Sequence, residues 1–120
     1  MGKSSYFVFY KPGCSKCRTL LQSFESNKIS CELLDYIAEP PSAELLEEFL
    51  NKSGLLPSQI VRKSETIYSK KYAGKKYSEK KWLEILLKNP ILIQRPLVIK
   101  GNKAWVARDE ETINTLIHQK

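Results

Sequence analysis

A chain of 120 residues, 42% hydrophobic and 28% charged, has the length and balance of one globular domain with its own core. Its apolar runs, such as residues 91–93, are too short to cross a bilayer, and MGKSSYFVFY lacks the long apolar stretch and small-residue cleavage site of a secretion signal. Three cysteines, an odd number, argue against a secreted disulfide framework and for reduced thiols in the cytoplasm, while a formal net charge of +7 points to anions or acidic surfaces as partners.

In chain order, the aromatic and β-branched run 6–10 predicts a strand, closed by the turn Lys11-Pro12-Gly13. Leu20, Leu21 and Phe24 recur at helical spacing, which predicts a helix over about 15–27. Residues 31–36 read as a second strand, so the first third forms a βαβ unit with parallel strands. Pro40-Pro41 breaks the chain. Ser42 is an N-cap candidate for a helix with Leu45, Leu46, Phe49 and Leu50 on one stripe, and Gly54 stands where a helix ends. A shorter helix is expected over 64–72, stopped by Gly74. Ser78 caps another, which buries Trp82, Leu83, Ile85, Leu86 and Leu87 and ends at Asn89-Pro90.

The last third opens with 91–93 and Arg95-Pro96. A strand over 97–99, a turn over 100–103 and a return strand over 104–107 make a hairpin. Asp109 caps a final helix carrying Ile113, Leu116 and Ile117, and Glu110 and Glu111 suit its positive N-terminal end. The expected fold class is α/β: a mixed sheet in the order β-α-β, helices, β-β-α, forming a single domain over 1–120 with a helical insertion at about 42–89.

Chemistry concentrates at Cys14 and Cys17. Cys14 stands where the turn meets the helix, and free N–H groups with a partial positive charge at a helix N-terminus stabilise a thiolate. Lys16 and Arg18 add positive charge. Cys17 lies one turn further on the same face, close enough to resolve a disulfide once Cys14 has reacted. Two other roles compete. Zinc would need two further ligands beyond this pair, and only Cys31 and His118 are spare, so no metal site is expected; two inert core cysteines are the other alternative. Cys31 reads as a buried strand residue and His118 as a surface group near a fraying end.

Arginine is sparse: Arg18, Arg62, Arg95 and Arg108 stand among 20 Lys and Arg residues. The planar guanidinium fork suits tetrahedral oxyanions, so these few arginines are binding candidates, against the ordinary alternative of surface salt bridges. If the hairpin lies beside the first strand, Arg95 and Arg108 can face the cysteine turn. Between Arg62 and Lys81 eight cations face Glu65 and Glu79, a local excess of +6. It reads as a lysine-rich solvated face or a steering field; no nucleic-acid motif accompanies it, and direct nucleic-acid binding is not expected.

The segments GCSKCRTLL, VRKSETIY and ILIQRPLVIKGNKAWVARDEE resemble the ArsC/Spx family of arsenate-reductase-like proteins, and the likeness runs from about Phe7 to Leu116. The resemblance implies a thioredoxin-like fold and a cis peptide at Pro96. It also implies that Cys14 attacks arsenate while Arg62, Arg95 and Arg108 hold the oxyanion. No bound cofactor is implied. The reductant would be glutathione with glutaredoxin, or thioredoxin acting through Cys17. Departures from the pattern bear on the choice. Arsenate enzymes of the family commonly lack a cysteine at position 17, whereas Spx-type regulators, which bind the RNA polymerase α subunit, carry the pair but usually lack Arg108. Lys63 follows Arg62 where threonine is usual. An arsenate-reductase-like thiol oxidoreductase is the leading expectation; a general dithiol–disulfide reductase and an Spx-like redox switch are the alternatives.

Overall fold

The computed structural model describes residues 6–118. Strand β1 (Tyr6–Tyr10) pairs in parallel with β2 (Cys31–Asp35) and antiparallel with β3 (Leu97–Lys100), which pairs antiparallel with β4 (Lys103–Val106). The sheet order β2-β1-β3-β4 therefore places the C-terminal hairpin directly beside the first strand.

Side-chain alternation along the two central strands divides the core. Tyr6 and Val8 of β1 and Val98 of β3 pack with α1 (Ser15–Ser26) and α4 (Glu110–His118) on one face. Phe9, Leu97 and Ile99 point the other way, toward α2 (Ala43–Ser53), α3 (Glu79–Lys88) and the turns around them. Phe9 is fully buried there, edge-on to Tyr36 and Phe49. Both faces being covered explains why β3 reads LVI rather than alternating with polar residues.

The helix punctuation works as its chemistry requires. Ser42 Oγ accepts from Leu45 N–H at 3.1 Å, and Gly54 ends α2 at φ +74°, a conformation that costs glycine no Cβ clash. Ser78 caps α3 in the same way through Lys81 N–H. Ser42→Ala should lower unfolding stability by about 1 kcal/mol, read by chemical denaturation, because it removes one cap acceptor and no packing.

Two stretches depart from expectation. Over 64–72 an ordinary helix was expected, but Tyr68–Tyr72 forms a wide π turn in which Ala73 N–H reaches back to the Tyr68 carbonyl at 2.8 Å. Packing supplies the reason: Tyr68, Tyr72 and Tyr77 all lie against Trp82, and the wider turn brings the tyrosines to that one ring. The second is a 3-10 turn at Pro57–Ile60, unforeseen in the sequence, with Pro57 at its first position and Gln59 Oε1 accepting from Leu56 N–H. Among the described residues no helix is long and apolar enough to cross a membrane.

Candidate active site

Cys14 occupies the N-cap of α1. Gly13 at φ +83° lets the chain turn sharply enough for Cys14 N–H to meet the Lys11 carbonyl at 3.2 Å. The Cys14 carbonyl accepts the first helical bond, from Arg18 N–H at 3.0 Å. A capping Ser or Asp would place an oxygen before the free N–H groups of the first turn; here a thiol occupies the N-cap position without a formed cap hydrogen bond. The first turn of α1 carries no acidic side chain to offset the partial positive charge of that end.

The two thiols are pushed in opposite directions. Burial alone would raise the Cys14 pKa. The N–H of Cys17, the Cys17 thiol, the N–H of Lys16 and the Arg95 guanidinium together outweigh it, and the thiol lies below its ordinary value. Cys17 is 1% exposed, and burial, with the neighbouring Cys14, pushes its thiol up to about 12. The pair is therefore asymmetric, with a half-exposed sulfur poised to ionise above a buried one that stays protonated and can donate to it. Cys14, Cys17 and Cys31 are all free thiols. Cys31, expected in the core, is only half-buried at the start of the outer strand β2, and His118 is exposed. Among the described residues no group of three His, Cys, Asp or Glu side chains could hold a metal ion.

Three arginines reach the same place from distant segments. Arg62 follows the 3-10 turn, where Val61 pairs with Ile93 in an isolated bridge and Arg62 N–H donates to the Leu92 carbonyl at 2.6 Å. This short ladder fixes Arg62 beside the segment that carries Arg95. The Arg95–Pro96 peptide is cis, at the entrance to β3. Arg108 lies just beyond β4 and donates from Nη1 to the Arg95 carbonyl. Lys11, Gly13, Cys14, Ser15, Lys16, Arg62, Arg95 and Arg108 line one cleft of about 360 Å³, open at the surface. The arrangement gathers a thiol, a helix N-terminus and five cationic side chains around a space suited to a small tetrahedral anion.

Arg95 is held most firmly. It is 3% exposed, and its Nη1 donates to the Ile91 carbonyl at 3.0 Å and to Tyr36 Oη at 3.3 Å. Its Nη2 meets Glu65 Oε2 at 3.2 Å. Among the described residues its Nε is the buried side-chain polar atom without a hydrogen-bond partner. A bound oxyanion would supply one.

Two residues of this arrangement were not foreseen. Glu65 Oε2 also accepts from Arg62 Nε at 2.9 Å, so one carboxylate oxygen ties two of the three arginines together. The i,i+3 spacing of Arg62 and Glu65 was visible in the sequence; the second partner, thirty residues on, was not. Tyr36 is fully buried and donates its hydroxyl to the Ile93 carbonyl at 2.7 Å, which holds the Arg95 segment from behind. Glu65→Gln should leave the fold intact and raise the KM for an oxyanion substrate about three- to tenfold, since it loosens both guanidinium planes; steady-state kinetics read it.

A model of the ArsC family matches residues 9–116. An arsenate reductase of Neisseria meningitidis is 29% identical over 112 residues, covering 92% of this chain and 96% of its own. The Escherichia coli protein YfgD is 27% identical over 92% of this chain and 94% of its own. The solved arsenate reductase of Vibrio cholerae superposes with a TM-score of 0.85 at 26% identity, covering 95% of this chain and 98% of that one. The strand–helix–strand unit, the antiparallel hairpin and the proline entering β3 give the chain a thioredoxin-like fold. With the match running from β1 to α4 through every segment that builds the cleft, this chain belongs to the ArsC family.

Proposed function

We propose that this protein is an arsenate-reductase-like thiol oxidoreductase in which Cys14 is the nucleophile. The supporting observation is the single cleft lined by Cys14 together with Arg62, Arg95 and Arg108. A general disulfide reductase needs the thiols but has no use for three converging arginines.

In this reading arsenate enters the cleft and its oxygens take the free guanidinium N–H groups, Arg95 Nε among them. The Cys14 thiolate attacks arsenic; an As–O bond breaks and the oxygen leaves as water after protonation. The cations of the cleft offset the charge of the adduct. A second thiol then attacks Cys14 Sγ. The S–As bond breaks with its electron pair passing to arsenic, so arsenic(V) leaves as arsenic(III) and the two sulfurs are joined as a disulfide. The second thiol comes from glutathione, with glutaredoxin clearing the mixed disulfide, or from Cys17, with thioredoxin clearing the internal one. The burial of Cys17 next to Cys14 suits a protected resolving thiol. Both routes suit the reducing conditions of the cytoplasm.

The test is arsenate-dependent NADPH oxidation, with glutathione, glutaredoxin and glutathione reductase in one arm and thioredoxin with its reductase in the other. Turnover in either arm supports the proposal. Cys17→Ser should spare the first arm and abolish the second. Absence of turnover in both, from protein whose Cys14 is reactive, would remove the arsenate assignment in favour of general disulfide reduction or an Spx-like switch.

A further inference from the structure

A second cleft, about 230 Å³, shares Lys11, Gly13 and Cys14 with the oxyanion cleft but runs along α1 instead of toward the arginine cluster. Both cysteines line it. Leu21 and Pro12 give it an apolar floor, and Arg18, Gln22 and Glu25 form its rim. Spacings of four and three residues put these three on one stripe of α1, leading away from Cys14. All three are exposed, and among the described residues neither Arg18 nor Glu25 forms an ion pair. Arg18 to Glu25 is about 10 Å along the helix axis. An extended tripeptide spans about the same length.

We propose that this groove docks the reductant, a small thiol peptide that carries free carboxylates and an ammonium group. Lys11 and Arg18 receive a carboxylate near the cysteine turn, Gln22 pairs with a peptide amide, and Glu25 receives the ammonium end. The peptide thiol then faces Cys14 from the α1 side while an oxyanion occupies the arginine side. One sulfur thus serves two ligands without either vacating its place. The inference rests on Cys14 being the reactive thiol, as proposed above, and not on arsenate being the substrate.

The test uses glutathione disulfide as probe and no arsenate. The Cys14 thiolate attacks one sulfur of the probe, the S–S bond breaks, Cys14 gains the mixed disulfide, and one glutathione thiolate departs and takes a proton from water. The rate is read by intact-protein mass spectrometry on a Cys17→Ser background, which prevents internal resolution. The same protein is treated with 2-hydroxyethyl disulfide, which is neutral and has no peptide to dock. Arg18→Gln and Glu25→Gln should each slow the glutathione reaction about three- to tenfold and leave the neutral probe within about twofold. Both substitutions lie on the exposed face of α1, away from either core cluster, so the protein stays folded. Equal slowing with both probes would overturn the inference, since Arg18 would then act only on the acidity of Cys14. So would no slowing with either. A wild-type Cys14 inert to both probes would remove the nucleophile assignment itself.

Discussion

Cys14→Ser should abolish oxyanion-dependent turnover and leave the fold intact, because serine suits the N-cap position of α1 but cannot supply a thiolate. The companion result is a pH profile. Alkylation follows the ionised fraction of a thiol, so a lowered pKa moves the midpoint of the rate profile to lower pH. For Cys14 that midpoint should fall below that of an ordinary thiol. Cys17, held up to about 12 by burial and by its neighbour, should contribute no second wave in the neutral range. Cys17→Ala tests the cause as well as the direction. It deletes the thiol that donates to Cys14, so the Cys14 midpoint should rise, whereas Cys17→Ser keeps a donor and should move it less. A Cys14 profile centred at the ordinary value would show that the helix end and Arg95 do not act on this sulfur.

Arg95→Leu has the second large effect, and it strikes stability and binding together. The side chain is 4% exposed and holds the Ile91 carbonyl, the Tyr36 hydroxyl and Glu65. Leucine leaves the Ile91 carbonyl without that donor and the half-buried Glu65 with Arg62 alone. Breaking one side of a buried ion pair costs about 3–5 kcal/mol; partial exposure of Glu65 and its remaining partner place this case at roughly 2–4 kcal/mol. Turnover should fall by at least about a hundredfold, because one of the cations lining the cleft is lost. Arg108→Leu separates the two effects. Arg108 is half-buried and makes one backbone contact, so it should lose a comparable share of activity for at most about 1 kcal/mol of stability. Denaturant unfolding and steady-state kinetics on the same preparations distinguish them.

Local rules carried the reading of the sequence a long way where the decisive interactions were local. The strand run at 6–10, the cap at Ser42 and the stop at Gly54 each depend on neighbours within a few residues, and each lies where it was expected. Cys14 at a helix N-terminus belongs to the same class. The wide turn at Tyr68–Tyr72 was not legible because its geometry answers to Trp82, a residue beyond the next glycine. Glu65 was counted only as a charge offsetting a lysine-rich stretch. Its placement between Arg62 and Arg95 depends on the Val61–Ile93 bridge, which joins segments about thirty residues apart. Tyr36 read as the end of a strand, yet its hydroxyl serves a carbonyl fifty-seven residues later. The place of Cys14 at a helix N-terminus was therefore readable from sequence pattern, while the groups that hold the neighbouring arginines in place required the tertiary structure.

The central claim is that an oxyanion binds in the arginine cleft against the Cys14 sulfur, and protection of that sulfur tests it without any assumption about the reductant. Purified protein carrying Cys17→Ser and Cys31→Ser, with Cys14 as its one remaining thiol, is alkylated with iodoacetamide at neutral pH across a series of arsenate concentrations. The rate of Cys14 modification is followed by mass spectrometry. The account predicts saturable slowing by arsenate, weakened by Arg62→Leu and Arg108→Leu. An alkylation rate that arsenate leaves unchanged, from a Cys14 that reacts as a low-pKa thiol, would contradict it.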